Sequence, residues 1–321
     1  PMKPAATPPP AGPPAGPPAP GEGKGQALLL ALSSYFVWGF ITFPLRALDA
    51  WPPGVILFFR VALAAGLLWL GLALFGRAAL RRSLATLRAL PAPARRLTLG
   101  LTALGGALLA LNWWLFIYVV NNVNLRTASF AYLVCPILVA LLGAALLREQ
   151  LTARKWAGMA LAAASCVLLG RESLEHLGWS LIVAITWALY IVSQRRNSAL
   201  ERIVTAGGHF ATALLLLLPL AGLLVRHVPA EPYFYGITAL LAVGFTILPQ
   251  TLNLFALRAL ASGTVGMLGY LNPIIIFLIA TLWYGERPSA VAWVGYALIG
   301  LAVLVFNYQL IFGGALRSAV G

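Results

Sequence analysis

From Asn112 to Glu149 the chain reads NWWLFIYVVNN, a short link, and TASFAYLVCPILVALLGAALLRE. The pieces belong to almost wholly apolar runs, 97–120 and 127–147, each about as long as the roughly 20 residues that cross a bilayer as a helix. A spanning β-barrel would alternate apolar and polar residues, and these runs are continuous. Only 9% of the residues are charged, where soluble domains carry about 25%, so the chain has little with which to solvate a globular surface. The fold class expected is an all-α polytopic membrane protein.

The pattern recurs. Sliding the sequence by 137 positions lays Thr127 on Thr264, Pro136 on Pro273, Glu149 on Glu286, Trp156 on Trp293 and Gly158 on Gly295. A weaker match at 149 lays Trp38 on Trp187 and Arg46 on Arg195. Ten apolar runs can be counted, at 27–47, 53–75, 97–120, 127–147, 152–170, 177–195, 204–225, 233–256, 262–284 and 289–311. Five spans per half is an odd number, so the second half enters the membrane from the opposite side. The expectation is ten transmembrane helices arranged as two inverted five-helix repeats, a geometry suited to alternating access at a midplane site. The repeats are placed at 26–171 and 172–312, between a Pro/Ala/Gly-rich tail at 1–25, expected to be disordered, and a short tail at 313–321.

The net charge of +14 does not point to nucleic acid, because the basic residues lie mainly between apolar runs, where they report topology. With the N-terminus inside, the inner segments carry 16 basic residues and the outer loops five (Arg46, Arg126, Arg171, Arg226, Arg287). Both termini are therefore expected in the cytoplasm. The connection at 76–96 holds Arg77, Arg81, Arg82, Arg88, Arg95 and Arg96.

One basic residue falls inside a run. Arg60 sits in FFRVALAAGLLW, where a central arginine costs about 2.5–3.5 kcal/mol and usually faces protein or a wet cavity. It is a candidate cation for an anionic or dipolar substrate group, or else it snorkels or pairs with Asp49. Asn112, Trp113, Trp114 and Tyr118 crowd the third span, with Trp114, Tyr118 and Asn121 at i, i+4, i+7. Aromatic faces with amide donors suit a flat amphipathic molecule; interhelical packing with polar glue is the alternative. Thr246, Gln250 and Asn253 share a face in the eighth span, Ser129, Tyr132 and Pro136 one in the fourth, and Gly266, Tyr270 and Pro273 one in the ninth. Substrate contact is assigned to Ser129, Tyr132, Gln250, Asn253 and Tyr270, and bends or gates to Pro136, Pro249 and Pro273, static kinks being the other reading. Trp38 and Trp187 are candidates to line the cavity or to pack.

The chain has eight acids, and none lies in the middle of a run. Glu149 and Glu286 end equivalent spans and are either gates or structural partners of Arg148, Arg287 or backbone amides. Proton exchange through a buried carboxylate is disfavoured. His209 is the single histidine inside a span and reads as a helix–helix hydrogen bond. Cys135 and Cys166 read as buried small hydrophobes, with no metal and no cofactor indicated.

These residues resemble a known family. The ten spans, the prolines of spans four and nine and the glutamates that follow are similar to the EamA family of the drug/metabolite transporter superfamily. Tyr35, Trp38-Gly39, Arg60, Asn112-Trp113, Tyr118, Asn121-Asn122, Ala128-Ser129, Tyr132, Pro136, Glu149 and Trp156 resemble its RarD branch. Phe59, Thr127, Ala131 and Cys135 depart from that branch, which has histidine, glutamate, glycine and asparagine there. The resemblance implies a non-ATP permease, not an enzyme. The cargo expected is a small metabolite or drug-like compound, with a lipid-headgroup flippase as the alternative. Expected partners are the substrate and membrane lipids, no nucleic acid, and a homodimer is left open. A lipid-modifying enzyme would need a catalytic cluster the sequence does not offer, and a pump would need a GxxxxGK[ST] loop, which is missing.

Overall fold

The structure, a computed structural model, describes residues 22–123, 125–170 and 176–312, apart from the side chains of Glu22, Val120, Asn121 and 125–129. The expected tails, most of 1–25 and 313–321, the boundary near 171–175 and the side chain of Ser129 lie outside the described residues. No strand occurs among the described residues; the chain there is helix and short links.

The helices are α1 (Glu22–Gly39), α2 (Thr42–Arg46), α3 (Pro53–Leu74), α4 (Arg77–Ala89), α5 (Ala92–Asn122), α6 (Leu125–Leu147), α7 (Ala153–Leu169) and α8 (Leu177–Arg196). They continue as α9 (Arg202–Leu217), α10 (Ala221–Leu224), α11 (Pro232–Ala242), α12 (Leu248–Ala256), α13 (Ser262–Leu268), α14 (Leu271–Leu282) and α15 (Ala290–Phe306). Eight stretches are long and apolar enough to cross a membrane: 23–46, 53–74, 92–119, 130–147, 177–196, 202–224, 232–256 and 262–282. The remaining two expected spans, α7 and α15, have 17 residues each.

Starts follow local chemistry. Prolines stand at the first turns of α3, α5 and α11, where a missing N–H costs nothing. Thr152 and Ser289 cap α7 and α15, accepting from the backbone N–H of Lys155 and Ala292. The two caps are 137 positions apart, and so are the two ends before them. Among the described residues, Arg148 and Gly285 hold the two positive-φ positions, at 57° and 69°. The next residues, Glu149 and Glu286, donate their amides to Gly143 and Ala280, at 3.2 and 3.0 Å. An αL residue turns the chain back over the helix end in both copies, at some strain cost in Arg148 where Gly285 has none.

Gly158 and Gly295, also 137 apart, lie where α7 and α15 cross. A Cβ on Gly158 would overlap Phe306, and one on Gly295 would overlap Leu169. The Ser165 hydroxyl uses the close approach to donate to the Gly295 carbonyl at 2.8 Å.

Three departures from the expected elements have physical causes. The 76–96 connection contains a helix, α4, whose four arginines line up with apolar residues at helical spacing. The eighth span is interrupted by a π-helical turn at Val243–Ile247, where Pro249 cannot donate and the ladder slips a residue. The ninth span is two helices. Gly269, Tyr270 and Asn272 make i−3 bonds between them, and Pro273 stands at the start of α14, following the break instead of bending a continuous helix. Pro136, by contrast, lies inside the unbroken α6.

Candidate functional site

Arg60 leads the candidates that meet. Its guanidinium lies over the Trp113 ring, 5.2 Å from the centroid, and beside Tyr132. Tyr132 packs on Phe116 at 5.5 Å and remains 39% exposed although it comes from the middle of α6. The arginine Nε is buried without a hydrogen-bond partner, and among the described residues Arg60 has no ion pair; Asp49 does not reach it. A cation over one indole and beside one phenol keeps its capacity for an anionic or dipolar group.

Trp114 and Tyr118 stack at 5.6 Å, and Tyr118 continues to Trp179 at 5.2 Å. Trp114 and Tyr118 line a cleft of about 830 Å³ together with Trp51, Arg226, His227 and Glu231. Asn122, in the same cleft, donates to the Tyr118 carbonyl at 2.9 Å and so ends its helix as a cap. Asn112 is not in this cleft. Its Nδ2 donates to the Val183 carbonyl at 2.8 Å and to Thr186 Oγ1 at 2.9 Å, fixing α5 to α8.

Trp38 and Trp187 touch edge to face at 5.6 Å. Trp38 has a second task. The Phe245 carbonyl lies four residues before Pro249, the bond a proline cannot make. The Trp38 Nε1 donates to that carbonyl at 2.9 Å, and the Ser34 hydroxyl donates to the Pro249 carbonyl at 2.8 Å. Thr246 turns its hydroxyl to the Leu241 carbonyl. Tyr35 lies beside Asn253, and neither polar group makes a hydrogen bond of normal geometry. Tyr270 donates to the Leu133 carbonyl and is fully buried.

Gln250 enters a network that is only partly anticipated by the sequence. Its amide donates to the Tyr190 hydroxyl, which lies 3.4 Å from His209 Nδ1. His209 Nε2 is 3.0 Å from Gln194 Oε1, which also accepts from Asn197 at 3.1 Å. The series ends at Arg202, which has 0% exposure and donates to the Asn197 carbonyl through Nη1, leaving Nε and Nη2 without partners. Sequence reasoning singled out His209 and Gln250 but not Tyr190, Gln194, Asn197 or Arg202. The signal available is the i, i+4, i+7 spacing of Tyr190, Gln194 and Asn197.

On the face where α8 ends and α9 begins, contacts tie distant parts of the chain together. Glu149 accepts from the Ser262 and Gly263 amides at 2.7 and 3.1 Å. Arg195 donates to the Leu257 and Arg258 carbonyls at 2.8 and 3.1 Å. Glu201 pairs with Arg82 at 2.9 Å and Arg258 at 3.6 Å. Toward the other face, among the described residues Glu286 pairs only with Arg46, at 3.7 Å and with both side chains more than half exposed. Both cysteines are buried thiols, and the described residues hold no group of three or more His, Cys, Asp or Glu able to bind a metal.

The chain is 26% identical over 295 residues to protein RarD of Escherichia coli, covering 89% of this chain and 95% of that one. It is 30% identical over 295 residues to an uncharacterized transporter of Pseudomonas aeruginosa, covering 88% and 94%. A solved crystal structure, 20% identical, superposes with a TM-score of 0.71 over 89% of this chain and 99% of that one, a likeness of fold. The EamA-like transporter family matches residues 25–171 and 176–308. With both halves of the chain matched, this protein belongs to the EamA-like transporter family.

Proposed function

We propose that the protein is a secondary transporter that moves a small metabolite or drug-like compound by alternating access. In this reading α7 and α15 complete ten spans, the halves are inverted repeats, and both termini lie in the cytoplasm of a bacterium, with the protein in its cytoplasmic membrane. The shared caps and αL ends at a shift of 137 support the repeat. The basic segments on the Glu149 side support the orientation.

The observation that carries the reading is the difference between the two faces. One opens into an aromatic cleft of about 830 Å³, within the size range of small-molecule sites. The other is tied by Glu149, Arg195 and Glu201. Between them lie Arg60 with Trp113 and Tyr132, then the series from Gln250 to Arg202. This arrangement supports the reading of an outward-facing carrier. Substrate enters over Trp114 and Tyr118, is held by Arg60 and its aromatic neighbours, and leaves when the ties of the inner face open. Gln250, Asn253 and Tyr132 are the polar contacts of the path. Pro136 and the π turn before Pro249 are the places where spans can bend.

The test is uptake and efflux by purified protein in liposomes loaded with a pooled metabolite extract, with Arg60→Ala beside the parent. Flux of a compound that falls at least tenfold in the variant supports carrier and site together. Flux undiminished by the change keeps the carrier and moves the site to the Trp114–Tyr118 cleft. Lipid scrambling without solute flux makes the protein a flippase.

A further inference from the structure

The helix α4 carries more positive charge than the rest of its face can neutralise. Arg77, Arg81, Leu84 and Arg88 stand at i, i+4, i+7 and i+11 and share one stripe. The adjacent stripe is held by protein: Ser83 is buried and accepts from the Glu201 amide at 3.2 Å, and Leu80 packs on the main apolar core. Arg82, on the far edge, pairs with Glu201. The orientation of α4 is therefore fixed, and the arginine stripe is left outward.

The stripe has no acid of its own. Arg81 and Arg88 make no ion pair among the described residues, nor do Arg95 and Arg96 at the start of α5. Glu149 is engaged by backbone amides and Glu201 by two other arginines. Apolar residues are exposed alongside. Leu84 is 50% exposed within the stripe, and Phe75 is 89% exposed at the turn from α3 into α4. The level is that of the bilayer boundary, because α4 follows the membrane-spanning α3 after a two-residue turn.

We infer that the Arg77–Arg81–Leu84–Arg88 face of α4 is a binding site for an anionic phospholipid. The guanidinium groups bind the headgroup phosphates in forked, charge-assisted contacts. Leu84 and Phe75 enter the acyl boundary below, the disposition of an interfacial amphipathic helix. A soluble polyanion would match the arginines but leave both apolar side chains in water. Through Ser83 and Arg82 the bound lipid also steadies Glu201, one of the ties of that face.

The test offers purified protein an equimolar mixture of phosphatidylglycerol and phosphatidylcholine and counts the lipids retained by native mass spectrometry. The parent is expected to prefer phosphatidylglycerol, and Arg81→Gln/Arg88→Gln to lose about fivefold of that preference per arginine removed. Arg226→Gln, in the aromatic cleft, is expected to keep it. The single Arg88→Gln variant, at an exposed position, gives the same reading with one charge if the double variant folds poorly. Equal retention of the two lipids by the parent overturns the site. So does a preference that survives both variants.

Discussion

Tyr270 donates its hydroxyl to the carbonyl of Leu133, the residue 137 positions before it, at 2.6 Å. The two halves of the sequence are thus joined at equivalent places, in the turn that Pro136 disturbs. The Cys166 thiol reaches the same carbonyl at 3.2 Å, but a thiol is a weak donor. Tyr270→Phe is expected to lower stability by about 0.5–1.5 kcal/mol, the net contribution of one buried hydrogen bond to a carbonyl that keeps its place in the helix. Its substrate affinity is expected to stay at the parent value, since the hydroxyl is already engaged. Thermal unfolding in detergent and a flux KM separate the two effects; a raised KM with unchanged melting would return Tyr270 to the path.

Trp38 and Pro249 are coupled through a carbonyl that neither owns. The proline cannot donate to Phe245, and the indole does so instead. Trp38→Phe should cost about 1–3 kcal/mol by orphaning that carbonyl. In a Pro249→Ala background the new backbone N–H can take the carbonyl, and Trp38→Phe should cost less than half as much. A double-mutant cycle on melting temperature reads the difference. Strict additivity would mean that the indole contributes packing alone.

The membrane class and the positions of eight of the ten expected spans are legible because a bilayer demands continuous apolar runs, and those are visible residue by residue. The helix α4 is less so. Its arginines count toward topology in a linear reading, and only their register with Leu80, Leu84 and Ser83 reveals a helix. Arg60 stands out as the charge inside a span and does meet Trp113 and Tyr132. Arg202 stands at the start of a span, where arginine is ordinary, so its full burial comes only from the packing of α8 and α9. Asn112 shows the opposite case. Its residue type suits a ligand as well as a neighbouring helix, and the choice depends on which carbonyls the fold brings within 3 Å.

Glu149 and Glu286 occupy equivalent positions with unequal partners. Glu149 receives two backbone amides of a break between helices, and such charge-assisted bonds are worth about 1.5–3 kcal/mol each. Glu286 holds a long, exposed pair with Arg46, of a kind worth about 0–1 kcal/mol. Glu149→Ala should therefore destabilise markedly and Glu286→Ala hardly at all. Melting curves of the two variants in one detergent decide it; equal losses would show that the sequence symmetry extends to the energetics.

Two neighbouring residues of α5 separate packing from recognition. Asn112 spends its amide on α8, and interhelical hydrogen bonds of this kind contribute about 0.6–2 kcal/mol. Asn112→Ala should lower the melting temperature and leave the KM of the transported compound unchanged. Trp114 borders the cleft and stacks only on Tyr118 among the aromatic contacts described. Trp114→Ala should leave the bundle nearly as stable and raise the KM, because stacking on an aromatic cargo is worth about 0.5–1.5 kcal/mol beyond its area. Flux measured over a range of substrate concentrations, next to a melting curve, reads both variants. If Asn112→Ala raised the KM and Trp114→Ala did not, substrate would lie between α5 and α8 and the cleft would be a surface feature.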